Sequence, residues 1–236
     1  MPQRALNEDD SLDDFERRAI TLDGATKVVH VAGTGPAVIV MTEMPGISPH
    51  VARFGRWVRD AGFTIYLPSL FGRDGAVPHV EEGQVIFRQA CVSAEFHAFA
   101  ADESSPVTAW LRALARLAHR ECGGPGVGAI GMCYTAAVRQ RLERDDLTVL
   151  AYRFEGDRFC TAQRFAAYAR ALGDRFVGRV LPDSAANRDT PPFFERVVAC
   201  PHSVVTVHLI DEAGQPTLAA RDEILSFFAR RLAPSR

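Results

Sequence analysis

No apolar run in this 236-residue sequence reaches the roughly 20 residues that a bilayer-spanning helix needs, so a membrane partner is not expected. The N-terminal stretch MPQRALNEDDSLDDFERR is acidic and lacks the apolar centre of a secretory signal. Lysine is nearly absent: Lys27 is the sole one, the arginines are scattered among acids, and the formal net charge is −2. The basic face that nucleic acid or a lipid surface requires is therefore missing. The five cysteines, Cys91, Cys122, Cys133, Cys160 and Cys200, show no metal-ligand spacing, and an odd number does not make a disulfide framework. Glycines in TGPAVIV and GGPGVG precede strands instead of joining a strand to a helix, so neither is a phosphate or dinucleotide loop. These absences leave a cytoplasmic chain with a small-molecule substrate, no metal and no cofactor.

What is present is a large apolar fraction, 47%, enough for one domain over residues 1–236, with 1–14 expected to be flexible. Two β-rich runs flank Leu22-Asp-Gly-Ala25, a hairpin signal. PAVIVMTE (36–43) and FTIYLP (63–68) are unbroken apolar runs of the kind found in strands covered on both faces. Helical spacing follows in PHVARFGRWVRDAG, over about 81–100 and 106–121, after Cys133 over 134–145, in TAQRFAAYARALG and in the last segment PTLAARDEILSFFARRL. VGAIG, DLTVLAYRFEGD and RFVGRVLPD read as further strands, and HSVVTVHLIDE as loop and strand. Alternating strands and helices predict an α/β fold with a mostly parallel central sheet and helices on both faces.

In such a sheet, functional groups gather beyond the carboxyl ends of the strands. The stretch VGAIGMCYTAA places Cys133 there, two residues after Gly131, at a sharp junction of strand and helix. The positive end of the helix macrodipole favours a thiolate, and the N–H of Tyr134 faces the space where an oxyanion would form. A buried apolar cysteine is the competing reading. Asp157, at the end of an apolar strand, and His202, on a loop after Pro201, follow in the order nucleophile, acid, histidine of the α/β hydrolases. Asp157 has a competing role as N-cap of the helix starting near Thr161, and His202 as a surface histidine. His208 lies within the strand pattern and reads as core or surface.

On these residues the sequence resembles the dienelactone hydrolase family, cysteine-dependent α/β hydrolases. PAVIVMTEMPGISPHVARFGRWVRDAGFTIYLPSLFGRDG resembles the family's opening strand, elbow loop and second strand. GVGAIGMC resembles its nucleophile elbow, YRFEGDRFC its acid turn and PHSVVTVHL its histidine loop. The resemblance implies Cys133 as nucleophile, His202 as base and Asp157 as the acid that orients it. It implies Glu43 as a partner of the resting thiol, and the N–H groups of Met44 and Tyr134 as the oxyanion hole. A carboxylate beside a thiolate raises the thiol pKa, so Glu43 is expected to keep Cys133 protonated until substrate displaces it. The implied activity is hydrolysis of small carboxylic esters or lactones through a cysteine thioester.

Three departures accompany the resemblance. No arginine stands at Thr206 or beside it, where relatives that open dienelactone hold the substrate carboxylate; Arg73 and Arg88 are the alternatives. The elbow helix CYTAAVRQRLERDD turns charged at once and lacks the usual glycines. Only residues 134–146 separate Cys133 from LTVLAY, so either the sheet has lost a strand after the elbow or the sequence lacks a segment there. The loop 182–201 ahead of His202 is a candidate lid, although Phe193-Phe194 suits packing equally. The alternative function is a non-catalytic relative that binds a small ligand or partner. A glutaminase-like amidotransferase fits less well, because Val204 stands where its acid would follow the histidine.

Overall fold

A computed structural model describes residues 4–92, 106–132 and 147–233. The chain opens with a hairpin, β1 (Glu16–Leu22) and β2 (Ala25–Ala32). Its two-residue turn puts Asp23 at φ 51° and Gly24 at φ 79°, the left-handed pair that matches strand twist in tight hairpins. Then come β3 (Ala37–Met41), α1 (Pro49–Asp60), β4 (Thr64–Pro68), α2 (Val80–Val92), α3 (Pro106–Cys122) and β5 (Gly128–Gly131). The last third holds β6 (Val149–Phe154), α4 (Ala162–Leu172), β7 (Phe176–Leu181) and α5 (Pro216–Leu232).

The strands form a sheet in the order β1-β2-β4-β3-β5 and a separate parallel pair, β6-β7. The larger sheet is mixed: β1-β2 and β2-β4 run antiparallel, while β3-β4 and β3-β5 run parallel. Among the described residues no strand joins β5 to β6. The division falls in the interval where a lost strand or a lacking segment was expected, and residues 133–146 of that interval lie outside the described residues. Helix α5 touches both sides of it: Phe228 and Leu232 pack on Gly128 of β5, and Glu223 accepts from the Tyr152 hydroxyl on β6.

The unbroken apolar runs have a direct explanation. Along β3, Val38 and Val40 enter a core with Val51, Phe54 and Val58 of α1 and Ile224 and Phe228 of α5. Ala37 and Ile39 enter a second core with Trp110, Leu114 and Ala118 of α3. β4 divides likewise, Ile65 and Leu67 to the first core and Tyr66 to the second. Side chains alternate between faces, and both faces are covered, so apolar residues fill both sets of positions; the polar Thr64 at the start of β4 satisfies its hydroxyl on Gly35 O (2.8 Å).

Local signals set the helix boundaries. Ser48 caps α1, its Oγ accepting from the Val51 N–H (3.3 Å), with Pro49 in the first turn. Thr161 caps α4 in the same way through Arg164 N–H (3.3 Å). Asp157 is thereby released from the capping role and serves elsewhere.

Within the N-terminal stretch expected to be flexible, Asp10 and Asp14 hold Arg56 of α1 through four hydrogen bonds of 2.7–2.9 Å. Asp10 N–H donates to Gly75 O (2.8 Å), and Gly75 N–H donates to Ile47 O (2.6 Å). Gly75 sits at φ 80°, where a Cβ would run into the Asp10 carbonyl; only glycine gives both the dihedral and the close approach. The N-terminal segment thus ties the loop after β4 to the loop after β3, which carries Glu43 and Met44.

The segment HSVVTVHL is not a strand. Residues 203–209 are all buried, and 204–208 form a turn closed by His208 N–H donating to Ser203 O (3.0 Å). The β-branched run Val204, Val205, Thr206 and Val207 read as a strand; here it belongs to a compact buried turn. No described helix is long and apolar enough to cross a membrane.

Candidate active site

Among the described residues, the loops after β3 and β6 and the turn at 202–209 carry the candidate site. Asp157 stands three residues beyond β6, in a turn closed by its own N–H donating to Phe154 O (3.3 Å). Its two oxygens have separate duties. Oδ1 accepts from the N–H groups of Phe159 and Cys160, both at 2.9 Å, and Oδ2 lies 2.8 Å from His202 Nδ1. Both side chains are almost wholly buried, Asp157 at 2% and His202 at 6% exposure. Burial alone would raise the Asp157 pKa; the His202 bond and charge, with the two N–H donors, outweigh it and hold the carboxyl below its usual range. Arg153 braces the same turn through the Cys160 and Glu155 carbonyls (2.8 and 2.7 Å).

Glu43, two residues beyond β3, is fully buried. Thr206 Oγ1 donates to its Oε1 (2.7 Å), and Ser203 Oγ donates to its Oε2. Desolvation pushes the Glu43 pKa up, against the pull of the two hydroxyls and of His202. The hydroxyls therefore fasten the turn that follows the histidine to the carboxyl end of β3. Met44, next in chain, is buried and begins a cis peptide to Pro45.

The turn around His202 is packed from several directions. His208 Nδ1 accepts from Ser203 N–H (3.1 Å), so this imidazole is neutral with its proton on the other nitrogen. Phe154 and Phe194 meet the His208 ring at centroid distances of 6.0 and 6.1 Å. Phe193 and Phe194 are buried, Phe193 lying over Gly83 of α2. These two rings of the candidate lid are core residues. Arg158 holds the same segment through the Val198 and Ala199 carbonyls (2.9 and 3.0 Å). Arg73, a candidate for a substrate carboxylate, is exposed and paired with Asp9 at 2.6 Å.

The structure thus brings Asp157 and His202 into contact and places Glu43 beside the same turn. Cys133 and Tyr134 lie outside the described residues. The chain is described up to Met132, which is buried and donates its N–H to Met41 O (3.1 Å) at the carboxyl ends of β3 and β5. Ser203, Thr206 and Phe159 were not anticipated. Hydroxyls in a loop carry no signature, and their partner Glu43 is 160 residues away.

The sequence model of the dienelactone hydrolase family matches residues 25–152, more than half of the chain; Asp157 and His202 lie beyond it. No curated protein matches. Among solved structures, a dienelactone hydrolase-like promiscuous phosphotriesterase from metagenomic libraries superposes with a TM-score of 0.59 at 16% identity, covering 93% of this chain and 100% of its own. A cold-adapted esterase from an Arctic intertidal metagenomic library superposes with a TM-score of 0.53 at 14% identity, covering 95% of this chain and 97% of its own. At these identities the likeness is one of fold.

Proposed function

Because the chain belongs to the dienelactone hydrolase family and is a hydrolase of the α/β class, we propose that it cleaves small carboxylic esters or lactones through a thioester on Cys133. The observation that carries this reading is the buried Asp157–His202 pair at 2.8 Å. With Nδ1–H donating to Asp157, the lone pair of the imidazole is on Nε2, and His202 is a base. It takes the Cys133 proton as sulfur attacks the ester carbonyl. The oxyanion is held by the N–H groups of Met44 and Tyr134. As the tetrahedral intermediate collapses, His202 returns the proton to the leaving alkoxide. Water, deprotonated by His202, then attacks the thioester and frees the acid and the thiol.

The decisive test is turnover of p-nitrophenyl acetate. Cys133→Ala is expected to reduce it by at least about a thousandfold while leaving the circular dichroism spectrum intact. If the variant keeps the parent rate, the thioester route is wrong. A folded parent without turnover would favour the non-catalytic alternative, for which the short interval between Cys133 and LTVLAY is the motive.

Glu43 has a regulatory part in this scheme. A desolvated carboxyl at the end of β3, next to the elbow strand, opposes a neighbouring thiolate and keeps Cys133 protonated at rest. In Glu43→Gln the pH–rate profile for thiol alkylation should move to lower pH. An unchanged profile removes that role.

A further inference from the structure

Three large apolar side chains among the described residues are substantially exposed: Val85, Phe159 and Val180. Phe159 alone of these stands against the Asp157–His202 pair. The residue is 36% exposed, and its ring meets the His202 ring at a centroid distance of 5.1 Å, tilted by 53°. Its backbone is fixed at both ends. The N–H donates to Asp157 Oδ1 (2.9 Å), and the carbonyl accepts from Arg164 Nη1 (2.8 Å). The carboxylate that orients the imidazole therefore also sets where the phenyl ring stands.

We infer that Phe159 is the wall that receives the alcohol portion of the substrate, and that it selects esters whose alcohol is aromatic or otherwise apolar. This rests on the hydrolase reading above. The leaving oxygen has to collect its proton from His202, so its substituent is delivered beside this imidazole, within reach of the phenyl ring tilted against it. The acyl portion stays on the nucleophile. The face of an aromatic ring is the negative end of its quadrupole and does not attract an anionic substituent. A rigid, half-open aromatic face therefore prefers a flat neutral group, and an aromatic pair of this kind adds affinity beyond simple burial.

The test compares phenyl acetate with methyl acetate, which share an acyl group, in the parent, Phe159→Ala and Phe159→Leu. In Phe159→Ala the preference for phenyl acetate in kcat/KM should fall about five- to tenfold, chiefly through KM. Phe159→Leu should retain part of it, and the ratio of phenyl butyrate to phenyl acetate should stay constant. Equal losses on both acetates would overturn the inference, since Phe159 would then only steady His202. So would a shift in the acyl ratio alone. Binding of phenylacetone and butanone, in which a methylene replaces the ester oxygen, gives a readout free of catalysis. If the parent hydrolyses neither ester, the hydrolase reading fails; an affinity ratio that still falls about five- to tenfold in Phe159→Ala keeps the wall, and an unchanged ratio removes it.

Discussion

Asp157→Asn will lower kcat by about three to four orders of magnitude while KM changes little. The size of the effect follows from how the two carboxylate oxygens are used. Oδ1 accepts from two backbone N–H groups, Phe159 and Cys160. An amide at this position must keep its oxygen on those donors, which turns its NH2 toward His202 Nδ1. The imidazole can then accept there only by carrying its proton on Nε2, the nitrogen that has to act as base. The substitution is nearly isosteric, so the fold is retained and the wrong tautomer carries the loss. Steady-state kinetics with p-nitrophenyl acetate, beside circular dichroism, checks this. A loss below about tenfold would mean that the pair does not drive the chemistry.

Mild acid will destabilise the protein through two histidines outside the Asp157–His202 pair. Burial, with Arg53 and His208 nearby, lowers the His50 pKa from 6.5 to about 4. Burial, with His202 and Arg188 nearby and Asp157 opposing, lowers that of His208 from 6.5 to about 4. The unfolded chain binds these protons below pH 6.5, and the folded chain only near pH 4. Stability is therefore fully present above pH 6.5 and declines as pH falls toward 4, by about 1.4 kcal/mol per pH unit for each imidazole. Asp157, whose pKa is lowered, adds its own loss only at more acid pH. Protonated His208 also loses the Nδ1 lone pair that accepts Ser203 N–H. Melting curves should show Tm dropping by more than about 10 °C between pH 7 and pH 4.5. The variant His50→Gln with His208→Asn should show a much flatter profile. The same slope in parent and variant would place the acid sensitivity elsewhere.

The elements that position the site were legible where one physical cause dominated the pattern. β3 is apolar at every position because both sheet faces are covered, and helical spacing in PHVARFGRWVRDAG and TAQRFAAYARALG marks α1 and α4, whereas the cap of α4 was sought at Asp157 and is Thr161. The pairing of Asp157 with His202 followed from chain order alone, since an acid after a strand and a histidine on a loop had a recognisable precedent. The turn at 203–209 was misread as partly a strand because its burial comes from contacts with distant rings, Phe154 and Phe194, which leave no periodic trace. The fastening of Glu43 was invisible for a related reason: Ser203 and Thr206 become its partners only when the carboxyl end of β3 meets the histidine turn.

The break between β5 and β6 gives those two hydroxyls a larger meaning. Asp157 follows the smaller sheet and Glu43 the larger, so the candidate site straddles a seam that backbone ladders do not cross among the described residues. Ser203 and Thr206 pin Glu43 to the turn after His202, and His202 reaches on to Asp157, so a relay of side-chain bonds spans what the ladders leave open.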